Sequence, residues 1–469
     1  MSDLLTQPAV DILALLSERK ISALELADLH ITQIERLNPS LNALVDFDPE
    51  RVRQQARASD SQKGERGLLQ GLPLTIKSSI SVANHRCETG SLRNRNHTPT
   101  RDAETVRRLR AAGAIILGTT NCPENLMAYE TDNLLYGRTN NPWNLAYTAG
   151  GSSGGESAAI AAGLSAGGLG SDGGGSVRTP AHMTGICALK PTPGRITGDG
   201  HLPTNTGPFT LLGTIGPMAR TVADLDILYR VLTGPDDTDP IAPPIEYRRI
   251  APKSVQEIRI GYLEDDGLIP ITSETRKAVQ TAVESLRSQG FHVEPFQSPL
   301  LEAARKLWYK LFVGCGAMLL EPESPEEEAQ LSPTFRDFLT IAHRDARPSA
   351  DELLHTWTEI DPLRTRLLEE MRTFPILLTP ACAIPAFRHA ERSWTIDGQP
   401  LAYLDAMRFT QWFNLLGSPA AVVPITQSPD NLPIGVQLAG RPYADELVLA
   451  IAASLDRDFG YTAPPVTSH

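Results

Sequence analysis

Apolar and polar positions alternate along the chain in patterns that predict helices and strands in turn. Leu24, Ala27 and Ile31 follow helical spacing within residues 9–38, where Ser22 and Glu25 form a capping-box pair. Further along, the pattern predicts a strand over 71–77, a helix over 102–112 that stops at Gly113, a buried strand over 114–117 and an alanine-rich helix over 156–166. This strand–helix–strand order is typical of an α/β layered fold.

The second half of the chain continues the same alternation. Its predicted elements are a strand over 258–262, a helix over 274–288, a strand over 291–294, strands over 421–425 and 434–438, and a closing helix over 445–455. Between them, residues 300–375 read as mostly helical and more charged. We therefore expect this stretch to form a helical cap region over one face of the fold.

Composition narrows the class of protein. The 469 residues are 41% hydrophobic and 21% charged, which is ordinary for a globular protein. The length alone is compatible with two or three domains or with one large α/β enzyme. A formal net charge of −12 argues against nucleic acid or an anionic membrane as the main partner.

Cysteine usage and the first residues suggest a compartment. The cysteines are odd in number, and no two have CxxC spacing, which disfavours a disulfide framework and a zinc site; they are Cys87, Cys122, Cys187, Cys315 and Cys382. The N-terminus has no pattern of a signal peptide, and no run reaches the roughly 20 apolar residues of a membrane span. We expect a reduced, cytoplasmic protein without a membrane span and without a bound metal.

The segment 150–178 carries the strongest chemical signal. It contains eleven glycines and two serine sites, Gly-Gly-Ser-Ser-Gly-Gly-Glu-Ser and, further on, Ser-Asp-Gly-Gly-Gly-Ser-Val-Arg. Glycine lets backbone N–H groups approach a ligand closely. A nucleophilic hydroxyl beside such N–H groups is the combination that acyl transfer requires. The segment therefore favours an enzyme over a binding module.

Two shorter motifs in this segment are weak. Residues 168–173 match GxGxxG, but a helix is predicted before the motif rather than after it, so a nucleotide site is disfavoured. Residues 151–155 match the nucleophile elbow GxSxG, which needs a strand just before it, and 142–148 is a poor strand. His182 lies near the second serine site in sequence and is a tempting base, although a lysine base makes it unnecessary.

Several longer motifs, taken in order, resemble the amidase signature family. They are Gly137-Arg-Thr-Asn-Asn-Pro142, Gly150-Gly-Ser-Ser-Gly-Gly155, Gly170-Ser-Asp-Gly-Gly-Gly-Ser176-Val-Arg-Thr-Pro180, Leu189-Lys-Pro-Thr192 and Leu432-Pro-Ile-Gly-Val-Gln-Leu-Ala-Gly440. The resemblance covers roughly residues 10–230 and 375–460. It implies an α/β fold in which a mixed central β-sheet is layered between helices, and a single domain over residues 1–469. It also implies that the protein is an amidase that needs no cofactor.

The resemblance also implies a Ser-Ser-Lys triad. Ser176 matches the nucleophile, Ser152 the bridging serine and Lys77 the base, and the family has a cis bond before the bridging serine. A lysine acts as a base only when neutral, and burial favours its neutral form. The expected chemistry is cleavage of an amide bond, and of esters as a side reaction, through an acyl-enzyme on Ser176.

Supporting roles follow for the residues around the triad. The N–H groups of Gly173, Gly174, Gly175 and Ser176 are expected to hold the oxyanion. We expect Asp172 and Arg178 to pair and brace the loop, and Ser153 to hydrogen-bond within it. Cys122 either lines the substrate cleft or is a small core residue.

The sequence motifs do not specify which amide is the substrate. The apolar residues 307–313 and 318–320 either line a channel for an acyl chain or aromatic group or belong to an ordinary core or cap helix. The expected partner is a small-molecule amide, and a homodimer is one arrangement left open. The alternative function is the A subunit of a glutamyl-tRNA amidotransferase, which the acidic chain and Ser78-Ser79 after the lysine disfavour; an inactive scaffold would leave all three triad positions unexplained.

Overall fold

The computed structural model describes residues 2–204, 206–250, 255–345 and 347–467. Its main helices are α1 (Ala9–Ser17), α2 (Ala23–Leu41), α3 (Pro49–Ser61), α4 (Glu104–Ala111), α5 (Gly154–Ala161), α6 (Arg178–Thr184), α7 (Pro208–Leu212), α8 (Val222–Leu232), α9 (Ser273–Ser288), α10 (Leu300–Trp308), α11 (Cys315–Leu320), α12 (Pro325–Ala329), α13 (Pro333–Ala342), α14 (Ala350–Glu370), α15 (Tyr403–Ala406), α16 (Arg408–Leu415) and α17 (Asp445–Phe459). A π-helical turn, Tyr309–Gly314, joins α10 to α11.

The strands are β1 (Leu44–Phe47), β2 (Pro73–Lys77), β3 (Ile115–Thr120), β4 (Asn140–Asn141), β5 (Asn144–Thr148), β6 (Gly167–Asp172), β7 (Cys187–Lys190), β8 (Thr214–Ala219), β9 (Arg259–Tyr262), β10 (His292–Pro295), β11 (Ile376–Pro380), β12 (Ser393–Ile396), β13 (Gln399–Ala402), β14 (Ala420–Gln427) and β15 (Pro433–Gly440). Eleven of them form one sheet in the order β1-β3-β2-β6-β8-β7-β14-β15-β11-β9-β10. Parallel pairs such as β2 with β3 and antiparallel pairs such as β6 with β8 make the sheet mixed, which confirms the predicted fold class.

Alternating side chains place two large apolar cores on opposite faces of β11. Ile376 and Leu378 pack in one core with α1–α4, α8, α9 and α17, whereas Leu377 packs in the other with α10, α13, α14 and α16. Residues 300–370 are mostly helical, in α10–α14. None of the helices in the described part of the chain is long and apolar enough to cross a membrane.

The helices and strands that local signals predict are present in the structure. The predicted capping box closes on both sides at the start of α2, where Glu25 N donates to Ser22 Oγ and Ser22 N donates to Glu25 Oε2. The predicted set over 258–294 is confirmed, since β9 and β10 pair in parallel around α9. The predicted helix over 156–166 is wrong at its end, because α5 stops at Ala161 and Gly163 takes a φ of +70°.

The sequence pattern missed strands at the centre of the sheet. β6 lies between β2 and β8 although its sequence is Gly-Gly-Leu-Gly-Ser-Asp, which has low strand propensity. Close packing explains its composition: a Cβ on Gly168 would lie 2.0 Å from Glu156 Oε1, and one on Gly170 would lie 2.6 Å from Ser153 Oγ. The glycines let α5 and the preceding turn approach this strand directly.

Candidate active site

Lys77 ends β2 on the face opposite to the strand's apolar side chains. Leu74 and Ile76 point into the first core, so Thr75 and Lys77 share the other face. Lys77 is fully buried, and its Nζ donates to Ser152 Oγ at 2.7 Å and to Ser171 Oγ at 3.1 Å. The lysine therefore has a buried position with hydroxyl neighbours, rather than a solvated strand end.

Ser152 lies in the turn that leads into α5. The Gly151–Ser152 peptide bond is cis, as it is in the family that the sequence resembles. A Cβ on Gly151 would lie 2.6 Å from the backbone nitrogen of Glu130, so only glycine fits at this point. Ser153, next in sequence, exchanges hydrogen bonds with the backbone of Ser171 through its Oγ, and its N–H donates to the Ser176 carbonyl at 3.1 Å.

Ser176 follows the loop after β6, and a buried ion pair braces that loop. Arg178 Nη2 donates to Asp172 Oδ1 at 2.9 Å, and both side chains are fully buried. Asn414 Nδ2 donates to the same carboxylate oxygen at 2.9 Å. Burial alone would raise the pKa of Asp172, but the Arg178 guanidinium and these hydrogen bonds hold it well below its usual range. The carboxylate therefore stays charged as an acceptor for the loop.

The loop's own N–H groups divide into two kinds. Gly175 N donates to Asp172 Oδ1 at 2.7 Å, so this N–H is engaged inside the loop. Among the hydrogen bonds of the described residues, none uses the N–H of Gly173, Gly174 or Ser176. Of the four N–H groups expected to hold an oxyanion, the Gly175 group is thus engaged with the Asp172 carboxylate, and the other three are available.

Burial changes the charge state of Lys77. It lowers the pKa of the amine to about 8, against the raising influence of Cys122, Asp172 and Glu156. Glu156 is also fully buried, and burial raises its pKa to about 8. Its carboxyl group receives hydrogen bonds from Thr75 Oγ1 at 2.5 Å and Thr120 Oγ1 at 2.8 Å. Glu156 is one of the groups whose negative charge would raise the pKa of Lys77, so its own raised pKa favours the neutral amine.

Two chambers meet at Ser176. The aromatic chamber is lined by Gly174 and Ser176 and by a set of apolar and aromatic side chains that includes Met127, Tyr129, Trp308, Phe312, Val313, Phe338 and Tyr403. The second chamber is lined by Ser152, Ser171, Gly173 and Ser176 together with Leu126, Met127, His201, Pro203, Phe209 and Phe312. Because Ser176 and Phe312 line both chambers, a substrate bound across Ser176 would place its two halves on different walls.

Sequence reasoning missed four residues of these walls as site residues. Ser171 contacts the lysine from β6, and only its place before Asp172 hinted at this. Trp308 and Phe312 belong to the apolar stretch for which a channel and an ordinary helix were both open, and both line the aromatic chamber. No pattern in the sequence indicated that His201 lies in the site. Its Nδ1 contacts the Pro203 carbonyl at 2.9 Å, and burial lowers its pKa to about 4.

The competing motifs do not form the sites that they suggested. The GxGxxG match lies largely on β6, so its glycines serve sheet packing. Residues 144–148 do form a strand, contrary to the expectation, but β5 forms a two-stranded sheet with β4 and is not part of the eleven-stranded sheet. His182 is buried, with its Nε2 3.0 Å from the Ile384 carbonyl and its Nδ1 at the backbone of Gly435, so it is a structural residue.

Cys122 lies beside the site and not in its walls. The thiol is fully buried, and its Sγ is 3.3 Å from Ser78 Oγ. The described residues that line the two chambers do not include it. Burial raises the pKa of this thiol, so it stays protonated. The interpretation of Cys122 as a small core residue fits this geometry.

Comparison with known proteins identifies the family of this chain. The family model described as Amidase matches residues 25–449, and the chain therefore belongs to the amidase family. An indoleacetamide hydrolase from Bradyrhizobium diazoefficiens is 32% identical over 97% of this chain and 87% of its own length. The A subunit of a glutamyl-tRNA(Gln) amidotransferase from Roseiflexus castenholzii is 34% identical over 94% of both chains.

A solved structure gives the same result for the fold. The crystal structure of a bacterial aryl acylamidase of the amidase signature family superposes with a TM-score of 0.85 and 26% identity, covering 96% of both chains. The chain is an amidase of this family, an enzyme that hydrolyses amide bonds.

Proposed function

We propose that the enzyme hydrolyses amides through an acyl-enzyme on Ser176, with Ser152 as proton relay and Lys77 as base. The hydrogen bond of 2.7 Å between the fully buried Lys77 Nζ and Ser152 Oγ, in a cavity wall shared with Ser176, carries the proposal. Neutral Lys77 accepts the proton of Ser152, and Ser152 takes the proton of Ser176. The oxygen of Ser176 then attacks the amide carbonyl carbon.

The remaining steps use the same groups in reverse. The N–H groups of Gly173, Gly174 and Ser176 hold the negative oxygen of the tetrahedral intermediate. The proton passes back through Ser152 to the amide nitrogen, the carbon–nitrogen bond breaks, and the amine leaves. Water then attacks the carbonyl carbon of the ester on Ser176 and gives up a proton to Lys77 through Ser152. The bond between that carbon and the Ser176 oxygen breaks, the acid leaves, and Lys77 returns the proton through Ser152 to the Ser176 oxygen.

The aromatic lining beside Ser176 favours a substrate with a flat, apolar acyl group, and since the cavity there has a volume of about 30 Å³, the surrounding side chains must move apart to admit it. We propose that this group packs against Trp308, Phe312 and Phe338, while the amine half faces the second chamber. A relative named as an indoleacetamide hydrolase agrees with an aromatic group on the acyl side of the amide. We further propose that residues 1–469 form one domain with 300–375 as its cap region, and that the protein is cytoplasmic; a homodimer remains an open arrangement.

A fluorophosphonate probe with mass spectrometry tests the mechanism. We expect covalent labelling at Ser176 and hydrolysis of aryl-acyl amides by the wild type, and loss of both in Ser176→Ala, at a cost of about 10⁴-fold or more in kcat. Ser153→Ala is the matched control, because this hydroxyl hydrogen-bonds within the turn rather than to Lys77; its labelling at Ser176 should persist. Labelling elsewhere, or an active Ser176→Ala, would overturn the proposal.

The relative of the amidotransferase type supports a second candidate, a subunit that releases ammonia from glutamine. An assay of the isolated chain separates the two. Hydrolysis of aryl-acyl amides without glutaminase activity favours the hydrolase, whereas glutaminase activity that appears only with partner subunits favours the amidotransferase.

A further inference from the structure

Three side chains from distant parts of the chain hold the carbonyl groups of the loop before Ser176. Trp308 Nε1 donates to the Gly173 carbonyl at 2.8 Å. Tyr129 Oη and Thr410 Oγ1 each donate to the Gly174 carbonyl at 2.7 Å. Trp308 ends α10, in the helical stretch that the motif resemblance did not cover, so that stretch contacts the reacting loop directly.

These contacts fix the direction of the N–H groups. In a trans peptide the carbonyl and the following N–H point in opposite directions. The hydrogen bond to the Gly173 carbonyl therefore makes the N–H of Gly174 point away from the indole. The hydrogen bonds to the Gly174 carbonyl likewise make the N–H of Gly175 point away from the Tyr129 and Thr410 hydroxyls. The Gly175 N–H ends at the Asp172 carboxylate, whereas the Gly174 N–H has no partner among the described residues.

We propose that Trp308 is a positioning residue that keeps the Gly173–Gly174 peptide oriented with the Gly174 N–H toward the oxyanion. The inference rests on the proposed Ser176 mechanism. If the Trp308 hydrogen bond is lost, this peptide can rotate and present its carbonyl oxygen where the negative charge develops. Such a rotation removes a donor and adds a repulsive oxygen, so it weakens binding of the transition state more than binding of the substrate.

Packing keeps the indole in place. Trp308 is 1% exposed, and its ring stacks on Phe312 with centroids 4.9 Å apart and 12° between the planes. A Cβ on Gly174 would lie 2.5 Å from Trp308 Cζ2, and one on Gly173 would lie 2.6 Å from Phe312 Cε2. Neither glycine has a positive φ, so close contact with these rings is the reason that both positions lack a side chain.

Trp308→Phe tests the role, because it keeps an aromatic ring and removes the N–H. We expect kcat for an aryl-acyl amide to fall about 10-fold or more while KM changes less than about threefold. Tyr309→Phe is the matched control: it deletes a donor to the Ile341 carbonyl at 3.2 Å, one residue along and away from the loop, and should leave kcat unchanged. An unchanged kcat in Trp308→Phe overturns the inference.

A second measurement separates positioning from general damage. Binding of a trifluoromethyl ketone analogue, which forms a tetrahedral oxyanion on Ser176, should weaken by the same factor as kcat/KM. Binding of the uncleaved substrate, measured with Ser176→Ala in both backgrounds, should not weaken. Equal weakening of both would mean that Trp308 only shapes the cavity, and would overturn the inference.

A third variant tests the same role if Trp308→Phe does not fold. Benzothienylalanine at position 308 replaces only the indole N–H with sulfur, and the same loss of kcat and of ketone binding is expected. If the wild type is neither labelled at Ser176 nor active on any amide, the proposed function fails. If the wild type is active through Ser176 and these variants match it, the proposed function stands and only the role of Trp308 fails.

Discussion

The sheet-centred part of the site and the helical stretch 300–370 differ in what they supply. The sheet and the turn before α5 supply the groups of the proposed proton path, Lys77 on β2 and Ser152 in the turn, with Ser171 of β6 also in contact with the lysine. The helices supply apolar walls, chiefly Trp308 and Phe312. Side chains of the proposed proton path lie on or beside strands, whereas a separate layer of helices lines the cavity next to them. Substitutions in the helices can therefore change substrate choice without moving the reacting atoms.

The helical stretch 300–370 contacts the reacting loop at one point, so the two parts of the site are not fully separate. Trp308 belongs to the helical part, yet its N–H holds a carbonyl of the loop before Ser176. The π-helical turn Tyr309–Gly314 follows directly and places Phe312 against both chambers. Such turns occur frequently at functional sites. We therefore expect variants of the sheet-centred part to affect the chemical step. Variants of the helical part should affect substrate binding, unless they disturb the hydrogen bond from Trp308 to the Gly173 carbonyl.

The largest effect is expected for the base. Lys77→Met removes the amine while keeping an unbranched apolar chain, and kcat should fall by about 10³-fold or more, because general-base catalysis is lost. Lys190→Met is the matched control. Lys190 is also fully buried at the end of a central strand, but its Nζ donates to the Pro191 carbonyl, and the described residues that line the two chambers do not include it. Steady-state kinetics with circular dichroism check both; equal losses in the two variants would count against the lysine base.

The pH dependence should follow the base. Protonated Lys77 cannot accept a proton, so the reactive fraction grows as pH rises through the pKa of about 8. We expect kcat/KM to rise about 10-fold per pH unit below pH 7 and to level off above about pH 9. Since Glu156 titrates in the same range, Glu156→Gln should keep the alkaline rise, although its midpoint can shift. A plateau already reached at pH 5 would indicate a carboxylate base.

The smallest effect is expected in the helical wall. Phe312→Leu shortens a half-buried ring that lines both chambers, so KM for an aromatic amide should rise about three- to tenfold relative to that for a small aliphatic amide. Because the same ring also stacks on Trp308, kcat should fall by about threefold at most. Phe374→Leu, a half-buried ring against Phe296, is the control and should change neither constant. A selective loss of kcat in Phe312→Leu would mean that the helical wall also controls the chemical step.

Most peripheral elements could be predicted because their signals are local. The capping box of α2, the alternation of β2 and the β9–α9–β10 set follow from residues within a few positions of one another. β6 could not be predicted, because its glycines read as loop. Its place in the sheet depends on α5 and on β8, which are distant in sequence.

The sequence by itself determined the family, the glycine segment and the positions of Lys77, Ser152 and Ser176, since long ordered motifs carry that information. Only the tertiary structure decided what surrounds them. It placed Ser171 against the lysine, engaged the Gly175 N–H with Asp172, and set Trp308 on the Gly173 carbonyl. These contacts join residues up to 135 positions apart, and such a contact depends on how sheet and helices pack rather than on the pattern of either partner.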